Sequence, residues 1–187
     1  MTDTATLRET FRRDKAALQG TLATSGASTR HLHRSLHKLA QLVDGLLIQL
    51  WQQAGFGHDF ALAAVGGFGR GELFPYSDVD VLVLLPDGQT PENTPGLKEQ
   101  LEAFIGSCWD SGLEIGSSVR TVSECLAESA KDITVQTSLL ESRLITGNTD
   151  LFGTFRQRYD AAMDPMAFMQ AKVLEIAQRM NPKVQVK

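Results

Sequence analysis

The sequence is short of cysteine, of basic charge and of long apolar runs, and each shortage excludes a class of function. Two cysteines in 187 residues, Cys108 and Cys125, stand far apart and in no CxxC pattern. They indicate neither a structural zinc site nor a disulfide framework. The formal net charge is −4 and the pI about 5.5. Neutralising many phosphates needs a basic surface, so broad DNA or RNA binding is not expected. No apolar run approaches the length of a membrane span. The amino terminus, MTDTATLRETFRRDK, is polar and charged, unlike a signal peptide. No internal repeat or low-complexity tract is present. The expected setting is therefore a reducing cytoplasm, without membrane, DNA or RNA partners. Hydrophobic residues make up 42% of the chain. That suffices for one domain with its own core, or for a catalytic unit with a helical appendage.

Apolar spacing divides the chain into helices and short strands. Residues 6–22 carry Leu7, Phe11 and Leu18 in a polar background and predict a short amphipathic helix. TSGAST (24–29) follows as a small-residue linker. Leu36, Leu39, Val43, Leu46, Leu47 and Leu50, preceded by Leu32, recur at helical spacing and mark a long amphipathic helix, closed by Gly55 and Gly57. FALAAV (60–65) is a short apolar run ending in glycines, which suits a buried strand. VDVLVLL (79–85) predicts a second strand, stopped by Pro86-Asp87-Gly88. After a QTPENTPG loop, residues 97–109 form another amphipathic stripe, and LEIGSSVR (113–120) alternates as a third strand. Thr121 and Glu124 fit a capping box. Helices are expected from there to the end, with cap signals at Asn148 and at Asp164-Pro165. Trp51 and Trp109 end helical stripes and are expected in the core. The whole predicts an α+β fold: an N-terminal helical segment (1–57), a core of small mixed sheet and helices (58–121) and a C-terminal helical segment (122–187).

The chemistry concentrates in VGGFGRGELFPYSDVDVLVLL (65–85). Gly66, Gly67, Gly69 and Gly71 strip side chains from a turn directly after a strand, which lets backbone N–H groups approach a ligand. Closely spaced N–H groups suit phosphate oxygens. Arg70 adds a cation and Ser77 a hydroxyl. Asp78 and Asp80 are two apart at a strand start, so both carboxylates project from one face. Such a pair is costly without a cation between them. Mg²⁺, or Mn²⁺, commonly joins one or two carboxylates to substrate phosphates. Nucleotidyl transfer needs chiefly positioning and charge neutralisation, which this arrangement supplies. Glu114, on the third strand, is the candidate third carboxylate, provided the register points it inward. Asp110 is a weaker candidate. A lone glycine turn is usually only a turn, and a lone DxD usually a cap or a solvated bend. The turn is neither a GK[ST] loop nor GxGxxG, because Glu72 falls where the last glycine would stand. The two motifs together, between two apolar strands, favour function. His33 and His37 share a helix face with no third ligand apparent, which favours a solvated face over a metal site.

GGFGRGELFPYSDVDVLVL closely resembles the GG-x-GRGEL-x-P-x-SD-x-D-x-L-x-L signature of bacterial PII-protein uridylyltransferases, in the DNA polymerase β-like nucleotidyltransferase superfamily. WDSGLEIGSSVRTVSECL and DITVQTSLLESRLITGNTDLF resemble two further segments of that family, so the likeness covers roughly residues 60–155. It implies a polymerase β-like core with UTP as donor, a tyrosine hydroxyl of a PII-type signalling protein as acceptor and pyrophosphate as product. Gly66, Gly67 and the turn through Gly71 match the nucleotide-holding positions. Asp78 and Asp80 match the metal carboxylates, with Arg70 and Ser77 assisting at phosphate. Ser117 stands where the family usually has histidine. Family members are several times longer, with an HD-type hydrolase and ACT domains, so a fragment or truncated relative is expected here. Two alternatives remain at this point: a DxD glycosyltransferase, and a catalytically idle module that binds a partner.

Overall fold

Two apolar runs bracket the glycine-rich segment, and both are strands. The computed structural model describes residues 4–24 and 29–180; residues 25–28 of the expected linker (24–29) and the tail after Met180 lie outside them, while Thr24 ends one helix and Thr29 begins the next. The described elements are α1 (Thr4–Thr24), α2 (Thr29–Ala54), β1 (Ala61–Ala64), α3 (Gly66–Gly69), β2 (Val79–Leu85), α4 (Leu97–Asp110), β3 (Ile115–Thr121), α5 (Val122–Ser129), α6 (Ile133–Leu140), β4 (Arg143–Gly147), α7 (Thr149–Ala162) and α8 (Pro165–Met180). The strands form one mixed sheet in the order β3-β2-β1-β4. β1 runs antiparallel to β2 and β4, and β2 runs parallel to β3. The α+β class with a polymerase β-like core agrees with this sheet and its helices.

Strand alternation sorts the core into two layers. Leu62, Ala64, Val79, Val81, Val83 and Leu85 face the side covered by α1, α2 and α4. Ala61, Ala63, Val65, Leu82 and Leu84 face the side covered by α5, α6 and α7. Both faces of β1 are therefore fully buried, which is why FALAAV reads as an unbroken apolar run rather than an alternation. Asp80 shares its parity with Leu82 and Leu84, so its side chain stands on the α5–α7 side of the sheet.

Local signals place the helix ends. Thr121 and Glu124 form the expected capping box, with Glu124 N–H donating to Thr121 Oγ1 at 3.2 Å and Thr121 N–H to Glu124 Oε2 at 2.8 Å. Asn148 Oδ1 accepts from Leu151 N–H at 2.8 Å, and Asp164 Oδ1 from Met166 N–H at 2.9 Å. Three expectations are corrected. The stretch after Thr121 is not helical throughout: RLITG forms β4, a second neighbour for β1. Five residues between two helices give too short a pattern for local periodicity, and the partner strand lies about 80 residues upstream. Trp109 is not core but 65% exposed, because it lies one residue, about 100° of turn, past the buried position Cys108. Leu32, at the start of the α2 stripe, is 45% exposed. Trp51 is buried and stacks on Phe56, with ring centroids 3.7 Å apart.

Candidate active site

The glycine segment folds as a single helical turn, α3, directly off the end of β1. Gly66 (φ 57°) and Gly71 (φ 75°) occupy the left-handed region at its two ends. Gly69 is required for another reason. A Cβ there would run into the carbonyl oxygen of Glu141 and lie 3.2 Å from Ala64 O. The turn is thus wedged between β1 and the end of α6. Gly69 N–H donates to Val65 O at 3.1 Å, so the N–H groups of Gly66, Gly67 and Phe68 precede the first helical bond.

The turn and the acid pair are tied together. Val65 N–H donates to Asp80 O at 3.1 Å, and a Cβ on Gly66 would lie 3.8 Å from Asp80 Oδ2 and 3.5 Å from Ser138 Oγ. Gly67, Arg70, Ser77, Asp78 and Asp80 line one cleft of about 490 Å³, whose wall also carries the exposed Phe74 and Tyr76. Partial burial, and then the charge of Asp78, push the Asp80 carboxyl above its ordinary range. The two carboxylates therefore interact, Asp78 just ahead of β2 and Asp80 on it. In the β2–β3 register Asp80 lies opposite Gly116, where a Cβ would collide with Asp80 Oδ1. The absent side chain leaves Asp80 room to lie across β3.

The other expected residues are placed as follows. Glu114 is exposed just before β3; its carbonyl accepts from Val79 N–H at 2.7 Å, and it borders a separate cavity beneath Phe74 and Tyr76. Among the described residues no group of three His, Cys, Asp or Glu could hold a metal ion, so Glu114 does not join Asp78 and Asp80 in such a cluster. Asp110, exposed at the end of α4, lies outside the acidic cleft. Arg70 pairs with Glu141 at 2.5 Å and with Glu72 at 3.6 Å, and the Glu141 hydrogen bond chiefly raises its pKa further. Its guanidinium here clamps the turn to the end of α6. His33 Nδ1 lies 3.5 Å from Glu72 Oε1, and His37 Nδ1 lies 3.3 Å from Gly71 O. The face expected to be merely solvated therefore braces the turn. Cys108 and Cys125 are buried free thiols pushed up to about 12 by desolvation, which rules them out as thiolate nucleophiles at neutral pH.

Two further arginines, Arg143 inside the family-like segment 132–152 and Arg156 beyond it, hold the turn from behind. Arg143 on β4 makes a bidentate pair with Asp44 of α2, at 2.9 and 3.1 Å, beside the Phe68 ring and Phe68 O. Arg156 of α7 donates to the carbonyls of Leu139 and Leu140 at 3.1 and 3.2 Å, capping the end of α6 where Glu141 begins. Their partners are 99 and 16–17 residues away, so neither was legible without the fold.

A turn that offers backbone N–H groups beside two strand-end carboxylates is an arrangement for a nucleoside triphosphate and a cation. Residues 47–136, from mid α2 into α6, match the nucleotidyltransferase domain family. That stretch is a nucleotidyltransferase domain. The nucleotidyltransferase domain is also similar to proteins named bifunctional uridylyltransferase/uridylyl-removing enzyme. Those of Burkholderia mallei (strain SAVP1) and Burkholderia pseudomallei (strain K96243) are each 56% identical over 152 residues, 81% of this chain. The matched stretch spans 17% of the length of these relatives. No described helix is long and apolar enough to cross a membrane.

Proposed function

We propose that this domain transfers UMP from UTP to a tyrosine hydroxyl of a PII-type signalling protein, with Mg²⁺ or Mn²⁺ as cofactor. The observation that carries the proposal is the single cleft in which Asp78 and Asp80 face the glycine turn. Uracil and the PII-type acceptor rest on the similarity to the uridylyltransferases.

The residues present suit a divalent cation completed by substrate. Asp78 and Asp80 raise each other's energy when both are ionised, and a cation between them removes that cost. Asp78 and Asp80 supply the carboxylates that Mg²⁺ usually takes, with phosphate oxygens and water in remaining positions. When bound, the ion neutralises charge on the α-phosphate and the leaving pyrophosphate. Glu114 is proposed as a third carboxylate if a change of its side-chain position brings it beside Asp78.

The chain's own groups do the rest. The N–H groups of Gly66 and Gly67 hold the β- and γ-phosphates. Ser77 offers its hydroxyl to the triphosphate, and Arg70 is available to it when released from Glu141. Phe74, 52% exposed, and Tyr76, 92% exposed, give the base an aromatic face on which to stack. The acid pair stays aligned with the turn because Val65 and Asp80 are hydrogen-bonded through their backbones.

The test is transfer of labelled UMP from UTP to a PII-type protein, comparing the wild type with Asp78→Asn/Asp80→Asn. Label that appears with the wild type and disappears with the double variant is the expected result. Equal labelling by both would overturn the roles of the carboxylates.

A further inference from the structure

Asp80 lines a second groove as well. It has about 350 Å³ of volume and runs away from the glycine turn between β3 and α6. Its walls are Gly116, Ser118 and Arg120 on one side and Thr134, Val135 and Ser138 on the other. Ser138 lies at the inner end beside Gly66 and Asp80. Arg120 is half-buried and makes no hydrogen bond or ion pair with the described residues. The Glu128 carboxylate acts on it only through space, so its N–H donors remain open to an acceptor in the working complex.

We propose that this groove is the acceptor subsite: it takes the tyrosine-bearing segment of the protein substrate, with the phenol oxygen directed at Asp80 and an oxygen of the same segment on Arg120. The assignment rests on the nucleotidyltransferase reading above and follows from three points. First, the proposed function already assigns the donor to the first cleft, with phosphates at the turn and the base against Phe74 and Tyr76. Second, attacking and leaving oxygens lie roughly in line at the transferred phosphorus. Pyrophosphate held at the glycine turn therefore requires the attacking oxygen to come from the far side of Asp80, where this groove opens. Third, Arg120 is four residues beyond Gly116 on β3, about 13 Å at the usual strand rise. That is too far for a guanidinium to bind the phosphate held at Asp80. It suits a carboxylate or main-chain carbonyl of a polypeptide whose side chain reaches inward, and Val135 and Leu139 supply apolar wall for the ring.

In the step itself the phenol oxygen bonds to the α-phosphorus while the bond from that phosphorus to the α,β-bridging oxygen breaks. Pyrophosphate leaves through the first cleft and the phenol proton passes to water. Arg120 touches none of the reacting atoms and is a positioning residue.

Two variants test the groove, Arg120→Ala, which removes the cation, and Ser118→Phe, which fills the space. Calorimetry with a UTP analogue that has a non-cleavable α,β bridge should give nucleotide affinity within twofold of wild type for both. Steady-state labelling of a PII-type protein should show its KM raised at least tenfold in Arg120→Ala with kcat changed little. Calorimetric binding of the PII-type protein to the chain carrying the analogue should be lost in Ser118→Phe, which reads the groove independently of turnover. Weakened nucleotide binding with unchanged acceptor KM would assign the groove to the nucleoside and overturn the proposal. Unchanged behaviour in both variants would overturn it too, while leaving UMP transfer standing. A wild-type chain that binds the acceptor in a Ser118-dependent way but neither binds nor transfers nucleotide would support the groove and sink the proposed reaction instead.

Discussion

Two glycines near the acid pair have no room for a side chain, and what stands in the way differs. At Gly69 the obstacle is backbone: Glu141 O, Glu141 C at 2.9 Å and Ala64 O at 3.2 Å. Neither β1 nor the end of α6 can rotate aside, so Gly69→Ala must shift packed main chain. Overpacking costs typically 1–3 kcal/mol, and a backbone obstacle places this case near about 3 kcal/mol. For a chain of this size each kcal/mol is worth about 2–4 °C, so the melting temperature should fall by about 6–12 °C. Among the described residues, the only atoms within 4 Å of a Cβ added at Gly116 belong to the Asp80 carboxylate. That side chain can rotate away, and alanine suits a strand better than glycine by roughly 0.5–1 kcal/mol. Gly116→Ala should therefore keep its stability within about 1 kcal/mol of wild type. Its cost should appear in function. Displacing the supporting surroundings of a metal-binding carboxylate typically costs about 10–100-fold in affinity. Thermal melts and calorimetric titration with Mg·UTP measure the two effects separately. If Gly116→Ala bound Mg·UTP as tightly as wild type, the placement of Asp80 over Gly116 would not matter to the site. If it melted as low as Gly69→Ala, the distinction between side-chain and backbone obstacles would fail.

Other perturbations have equally definite outcomes. Arg143→Ala leaves Asp44 half-buried without its bidentate partner and loosens the Phe68 end of the turn. Chemical denaturation should show a loss of about 2 kcal/mol, the usual range for hydrogen bonds to charged groups. Burial works to raise the Asp87 carboxyl, but the Ser123 N–H, Arg158 and the Ser123 hydroxyl outweigh it and hold the group at about 2. A depressed carboxyl stabilises the fold above the ordinary carboxylate range, and that contribution is lost as pH falls toward 2. Asp87→Asn should thus be less stable than wild type at neutral pH, by under about 1 kcal/mol because the pair is largely exposed, with the difference vanishing on acidification. Asp80 has the opposite sign. Its folded pKa is raised, so the metal-free fold is favoured by protonation and loses that advantage as pH rises through the raised value. With a chelator present, Asp80→Asn should melt slightly higher than wild type at neutral pH and converge with it below the ordinary carboxylate range. A lower melting temperature at neutral pH would contradict the raised pKa.

The site's chemistry was largely legible in the chain because its parts are contiguous. Ala61 to Asp80 is a continuous stretch of 20 residues that holds the first strand, the turn and the start of the second strand, and both carboxylates line the cleft beside that turn. The caps at Thr121, Asn148 and Asp164 were equally local, since each is satisfied within three residues. What only the tertiary structure decided involves pairs far apart in sequence. β4 became a strand because β1 needed a second neighbour, which five residues of RLITG do not announce. Gly69 and Gly116 look alike in sequence, yet one makes way for the Glu141 carbonyl and the other for the Asp80 carboxylate. Arg70, a free cation in the sequence, is held by Glu141 from 71 residues away, and Arg143 finds Asp44 across 99. The groove between β3 and α6 exists only because a parallel register sets Gly116 opposite Asp80 while α6 packs across from it. Periodicity and turn chemistry act over a few residues and can be read from the chain; register, close approach and ion pairing depend on which segments meet, and only packing settles that.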